Sequence, residues 1–243
     1  MGISIAIEGS EGAGKSTLAM VTKLLLKETT DFPIKITREP GGTILGEMIR
    51  GILRGEDFKD MNIHTNMLLY SAARAELYYK VEEPFLEQEE GGILIKDRSW
   101  LSTAVFQVAD GISSKYVDSV QGPFSHVPDK FAVVDIPVLE TLARIKAIYK
   151  DLGEREEDWR DKQTEDKFET IRRNYLSYVV GHKERCTLLD CFDDPWEKAA
   201  RIKLVAVSLL STKEGNVLSR EEKTELLTSF VDEAIKKLIF FPF

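Results

Sequence analysis

Apolar residues along the chain fall into two rhythms. Short, nearly continuous runs occur at Ile3–Glu8, Ile34–Arg38, Ile93–Asp97, Phe131–Asp135 and Thr187–Asp190. Such runs suit strands covered on both faces. Between them, apolar positions recur every three or four residues, as helices require. Leu18, Val21 and Leu25 share one face, as do Ile44, Leu45, Met48, Ile49 and Ile52. Met67, Tyr70 and Leu77 mark a longer stretch that Pro84 interrupts or kinks, and Val138, Leu142, Ile145 and Tyr149 mark another helix. This alternation predicts an α/β fold, a parallel sheet with helices on both sides. Ligands of such sheets bind beyond the carboxyl ends of the strands.

Three regions depart from the rhythm. Residues 110–128 carry Gly111, Gly122, Pro123 and Pro128 and read as a loop. Residues 151–167 are dense in charge and read as a mobile, solvated flap, a lid spanning about 150–167. Beyond Pro195 two helical patterns follow, Trp196–Leu210 and Arg220–Ile239, the second opened by a Ser219-to-Glu222 capping box. The expected organisation is a core over residues 1–195 and a helical extension over 196–243 packed upon it.

The first strand leads directly into G-S-E-G-A-G-K-S, Gly9 to Ser16, and a helical pattern follows. Strand, loop and helix together are the context in which G-x-x-x-x-G-K-[ST] binds a nucleoside triphosphate. Gly12 and Gly14 let the backbone turn tightly and aim successive N–H groups at one anion. The helix start adds its dipole, Lys15 reaches the outer phosphates, and the Ser16 hydroxyl is placed for Mg2+. Gly9, Ser10, Glu11, Gly12, Ala13, Gly14, Lys15, Ser16 and Thr17 are therefore the candidate phosphate-binding residues. A net charge of −8 argues against general nucleic-acid binding, so phosphate affinity must come from a few focused cations. Cys186 and Cys191 lack a matching second pair for zinc, and such usage fits a reducing compartment, the cytoplasm. No apolar run is long enough to span a bilayer, and a strand beginning at Ile3 leaves no room for a signal peptide.

Three more segments narrow the class. Thr37 to Thr43 reads T-R-E-P-G-G-T, Leu68 to Arg74 reads L-L-Y-S-A-A-R, and Asp97 to Gln107 reads D-R-S-W-L-S-T-A-V-F-Q. With the phosphate loop, in this order from Ile3 to about Asp190, they resemble the thymidylate (dTMP) kinase family. The resemblance implies a three-layer P-loop kinase fold with a five-stranded parallel sheet. It further implies the reaction ATP + dTMP → ADP + dTDP with Mg2+, and a homodimer joined through helical faces.

By the same resemblance, Arg98 grips the acceptor phosphate, and Asp97 either ligates Mg2+ or pairs with a neighbouring arginine. Tyr70 stacks on thymine and Arg74 hydrogen-bonds it, while Thr103, Phe106 and Gln107 line base and sugar. Glu11 contacts the sugar 3′-hydroxyl or orients the phosphate-gripping arginine, with Arg98 its expected partner. Arg38 is either a second ligand of the acceptor phosphate or one half of a surface ion pair. No arginine sits in the phosphate loop, so one from the lid, Arg155 or Arg160, is expected to close over the triphosphate. Ser99 and Phe106 stand where many relatives have Tyr. That leaves open a broader deoxynucleoside monophosphate kinase. The other class, a non-catalytic nucleotide-binding switch or module, gains no support from an N-K-x-D motif, which is missing.

Overall fold

The computed structural model describes residues 2–122, 126–152, 163–213 and 219–240. Arg155, Arg160 and most of the expected lid lie outside the described residues. The strands are β1 (Ile3–Gly9), β2 (Ile34–Arg38), β3 (Ile93–Asp97), β4 (Lys130–Asp135) and β5 (Cys186–Asp190). They form one five-stranded sheet, all parallel, in the order β2-β3-β1-β4-β5. The helices are α1 (Lys15–Lys27), α2 (Ile44–Arg54), α3 (Ile63–Leu77), α4 (Glu83–Leu86), α5 (Trp100–Ala109) and α6 (Ser114–Gln121). They continue as α7 (Val138–Leu152), α8 (Glu165–Gly181), α9 (Pro195–Lys213) and α10 (Arg220–Phe240).

Side chains alternate across the sheet, so its two faces have separate cores. Ile3, Ile5 and Ile7 of β1, with Ile93, Ile95, Ala132 and Val134, pack against α1 and α9. Phe230 of α10 joins the same cluster with Trp196, Ala199 and Ile202 of α9, so the chain after Pro195 closes over this face. On the other face Ala6, Phe131 and Val133 meet Leu101 and Val105 of α5, Ile145 of α7, and Phe168, Ile171 and Tyr175 of α8. Truncating a fully buried residue such as Ile5 to Ala would cost about 2–5 kcal/mol.

Two sequence expectations need correction. The stretch read as a loop over 110–128 contains α6, capped by the Ser113 hydroxyl accepting from the Tyr116 N–H. Gly111 and Gly122 flank it, while Val117 and Gln121, one turn apart, are buried inside. The apolar face expected on α2 is turned outward. Ile49 is buried, but Ile44 is 87% and Met48 64% exposed, with Leu45 and Ile52 also exposed. The longer stretch is interrupted ahead of Pro84, as expected: α3 ends at Leu77, and a π-helical turn, Tyr78–Glu82, leads into α4 with Pro84 in its first turn.

Strand register brings the chemistry together. Ile7 pairs with Asp97, and Arg38 pairs with Asp97 on its other side. The carboxyl ends of β1, β2 and β3 therefore open on one crevice, the place where parallel sheets bind ligands.

Candidate active site

The loop between β1 and α1 needs left-handed backbone at Gly12 (φ 71°) and Gly14 (φ 79°), which only glycine adopts without strain. Gly14 serves as N-cap of α1 without a side-chain cap, so the first N–H groups of the helix stay directed into the crevice. Lys15 lies buried beneath the loop, its Nζ donating to the Ser10 carbonyl at 2.7 Å. Burial, and then the nearby Arg98, lower its pKa to about 8. The Ala13 and Ser10 side chains turn inward and both are buried. The Ser16 hydroxyl donates to Asp97 Oδ2 at 2.5 Å, uniting the two candidate Mg2+ ligands. One carboxylate beside one hydroxyl suits Mg2+, which takes its remaining ligands from water and substrate phosphates.

Arg98 follows β3 in left-handed backbone, the one non-glycine residue at positive φ (73°) among the described residues. Its conformation is held by hydrogen bonds on both sides. The Arg98 N–H donates to the Ile7 carbonyl at 3.1 Å, and the Ser99 N–H donates to Glu8 Oε1 at 2.7 Å. Glu8 projects from β1 toward α5 and α8. There it also accepts from the hydroxyls of Ser99, Ser102 and Tyr175 at 2.7, 2.6 and 3.0 Å. Burial still raises the Glu8 pKa against these donors.

The turn at Arg98 throws its guanidinium back across the crevice. Nη2 donates to Glu11 Oε1 at 2.6 Å, Nη1 donates to Ser102 Oγ at 2.9 Å, and the group lies 5.2 Å from the Phe106 ring centre. Glu11 and Arg98 thus form the pair expected from the sequence. Burial opposes the arginine's charge, but the acidic groups around it, Glu11 foremost, hold its pKa above the ordinary value.

A single cleft of about 600 Å³ runs from Gly12, Lys15 and Ser16 past Asp97 and Arg98 to Arg38, Tyr70, Arg74, Thr103, Phe106 and Gln107. Tyr70 and Arg74 stand one turn apart on α3. Arg74 is 3% exposed and gripped along its whole edge. Nε donates to Glu39 Oε2 at 2.6 Å, Nη2 to Thr103 Oγ1 at 2.8 Å and to the Ser99 carbonyl at 3.2 Å, and Nη1 to Gln121. Gln107 is buried beside them, its Nε2 donating to Asn66 Oδ1 at 3.2 Å, and its Oε1 has no partner among the described residues. Arg38 lines the cleft while forming a half-exposed ion pair with Glu47 at 3.0 Å.

Sequence reasoning missed several contributors. Gln121 reaches Arg74 from the unforeseen α6. Arg144 on α7 donates to the Gly12 carbonyl and to the Cys191 carbonyl, each at 3.3 Å, tying the phosphate loop to the loop after β5. Its only local signal is the i,i+4 spacing from Glu140, which it meets at 2.6 Å. Arg50 and Arg54 of α2 also line the cleft.

Known proteins resemble this chain in sequence. The Thymidylate kinase family model matches residues 7–199. The thymidylate kinase of Chlamydia caviae is 36% identical over 192 residues, 76% of this chain and 88% of that protein. That of Roseiflexus sp. is 32% identical over 78% of this chain and 87% of its own length. That of Mesoplasma florum is 31% identical over 83% and 93%, respectively. With its parallel sheet, phosphate loop and two-ended cleft, the chain belongs to the thymidylate kinase family of phosphotransferases.

Proposed function

We propose that this protein transfers the γ-phosphate of ATP to dTMP, giving ADP and dTDP. The observation that carries the reading is the continuous cleft with a triphosphate cradle at one end and Arg98, Arg74 and Tyr70 at the other. Transfer of a phosphoryl group needs no covalent intermediate, only in-line placement and neutralised charge.

Lys15 and the loop N–H groups hold the donor phosphates. Arg98, already positioned between Glu11 and Ser102, receives the acceptor phosphate in a guanidinium fork that lysine could not reproduce. Ser16 and Asp97 would hold Mg2+, whose charge offsets that of the phosphate oxygens. Tyr70 supplies a ring for the thymine, Arg74 its hydrogen bonds, and Thr103, Phe106 and Gln107 complete the base and sugar walls. Arg38 is poised to exchange Glu47 for acceptor phosphate. Closure by a lid arginine, Arg155 or Arg160, would slow turnover when removed far more than it would weaken dTMP binding.

The reading also includes pairing of two copies. The outward apolar face of α2, with Ile44 and Met48 at its centre, is the kind of patch that marks a protein interface. Helix-to-helix contact through it would give the homodimer. Met48→Glu should convert a dimer to a monomer on size-exclusion chromatography with light scattering. A wild-type monomer would contradict this part. The reading places the enzyme in the cytoplasm, on the cysteine usage of the sequence; no helix among the described residues is long and apolar enough to cross a membrane.

The test is a coupled ADP-release assay with dTMP, dUMP, dGMP, dCMP and dAMP. The reading predicts dTMP as best acceptor, and equal rates with several would favour the broader kinase. Slow ADP release unaffected by any acceptor would favour a nucleotide-binding module.

A further inference from the structure

Lys96 is the one charged residue inside β3 before its terminal Asp97, and the phosphate-transfer reading gives it no task. It lies on the sheet face opposite Ile93 and Ile95, at 1% exposure. Its Nζ donates to Glu82 Oε2 at 2.8 Å and stands 3.2 Å from Glu39 Oε1. Glu82 comes from the π-helical turn after α3 and is itself fully buried, its other oxygen accepting from the Thr37 hydroxyl at 2.7 Å. Glu39 uses its second oxygen to hold Arg74 Nε at 2.6 Å. Two carboxylates and two cations therefore alternate in a line, Glu82–Lys96–Glu39–Arg74, of which Glu39 and Arg74 line the cleft while Lys96 and Glu82 lie behind them.

A buried ion pair is a poor device for stability, since apolar residues of similar volume often do as well. Four such charges in a row call for another role. Burial disfavours the charged forms of both Lys96 and Glu39, yet their neighbours shift the Lys96 pKa up and the Glu39 pKa down, so both stay ionised. Deleting Lys96 alone leaves Glu39 and Glu82 as two buried negative charges facing one cation, and Glu39 loses the cation paired with its Oε1.

We propose that Lys96, braced by Glu82, is a positioning residue for acceptor recognition: it fixes Glu39, and Glu39 fixes the guanidinium of Arg74 that reads the base. This rests on the assignment of Arg74 to the acceptor base. Lys96 touches no substrate, and its effect travels through one carboxylate.

The test compares kcat and the KM values for dTMP and ATP in the wild type, Lys96→Met, Arg74→Met and the double variant. Lys96→Met should raise the dTMP KM about fivefold to tenfold, with the ATP KM within about twofold of wild type. In the Arg74→Met background the same change should have no further effect on the dTMP KM. An unchanged dTMP KM in Lys96→Met, or an equal rise in both backgrounds, overturns the proposal while leaving Arg74 as base reader. A dTMP KM unaffected by Arg74→Met overturns the acceptor reading and the proposal with it. Should Lys96→Met fail to fold, Lys96→Met/Glu82→Leu removes the pair together and keeps the cluster neutral. Its dTMP KM should still rise, with that rise lost in the Arg74→Met background, and a wild-type dTMP KM would overturn the proposal.

Discussion

On the proposed reading, the donor end of the cleft relies on nine consecutive residues, Gly9 to Thr17, through backbone groups and one lysine. The acceptor end relies on side chains from distant segments, Arg38, Arg74, Arg98, Thr103 and Gln121, with Glu11 of the donor loop reaching across to Arg98. The donor end is a local structure that its own glycines and helix start produce. The acceptor end exists only once the sheet register and the helices α3, α5 and α6 have been fixed. Consecutive backbone amides tolerate changes of side chain, whereas an assembled set of side chains has no spare member.

The largest consequence concerns Arg98. Arg98→Ala should lower kcat/KM for dTMP by about 10³-fold, the scale of losing an electrostatic clamp on a transferring group. The ATP KM should move little. Steady-state kinetics in both substrates checks this, and a comparable rise in the ATP KM would erase the distinction between the two ends.

The donor end should fail through its backbone. A Cβ added at Gly12 would meet the Arg144 Cβ at 3.2 Å, at a φ of 71° that side chains rarely adopt. The left-handed strain alone is about 1–2 kcal/mol. Gly12→Ala should therefore raise the ATP KM about tenfold with the dTMP KM nearly unchanged, measured in the same assay.

A pH effect comes next. With its pKa lowered to about 8, Lys15 carries its charge below that pH and loses it above. Phosphate binding needs the charged form, so the ATP KM should be flat below about pH 8 and rise by up to about tenfold per unit beyond it. A flat profile through pH 9 would place the donor phosphates elsewhere.

Arg38 should matter least. Its half-exposed pair with Glu47 is worth about 0–1 kcal/mol, so exchanging that carboxylate for a phosphate changes little. Arg38→Ala should raise the dTMP KM only about threefold, and a loss near that of Arg98→Ala would make it the principal phosphate ligand.

What the sequence disclosed follows the same division. β2 and β3 lie at their predicted bounds, and the phosphate loop is legible because motif and context sit within one short segment. The face of α2 was legible as apolar but not as exposed, since periodicity reports a face without saying what covers it. α6 was hidden behind its flanking glycines, and with it Gln121. Lys96 and Glu82, fourteen positions apart, offer no local spacing that announces a pair, and neither do Arg144 and Cys191. Long-range partners become visible only when register is known.

The central claim is that both phosphorylated substrates meet in one cleft and exchange a phosphoryl group there. Incubation with ATP labelled with ³²P at the γ position, with and without dTMP, tests it most directly. The label should pass to dTDP, at a rate far above that of phosphate release without acceptor. Label recovered only as inorganic phosphate, at the same rate whether or not dTMP is present, would contradict the account.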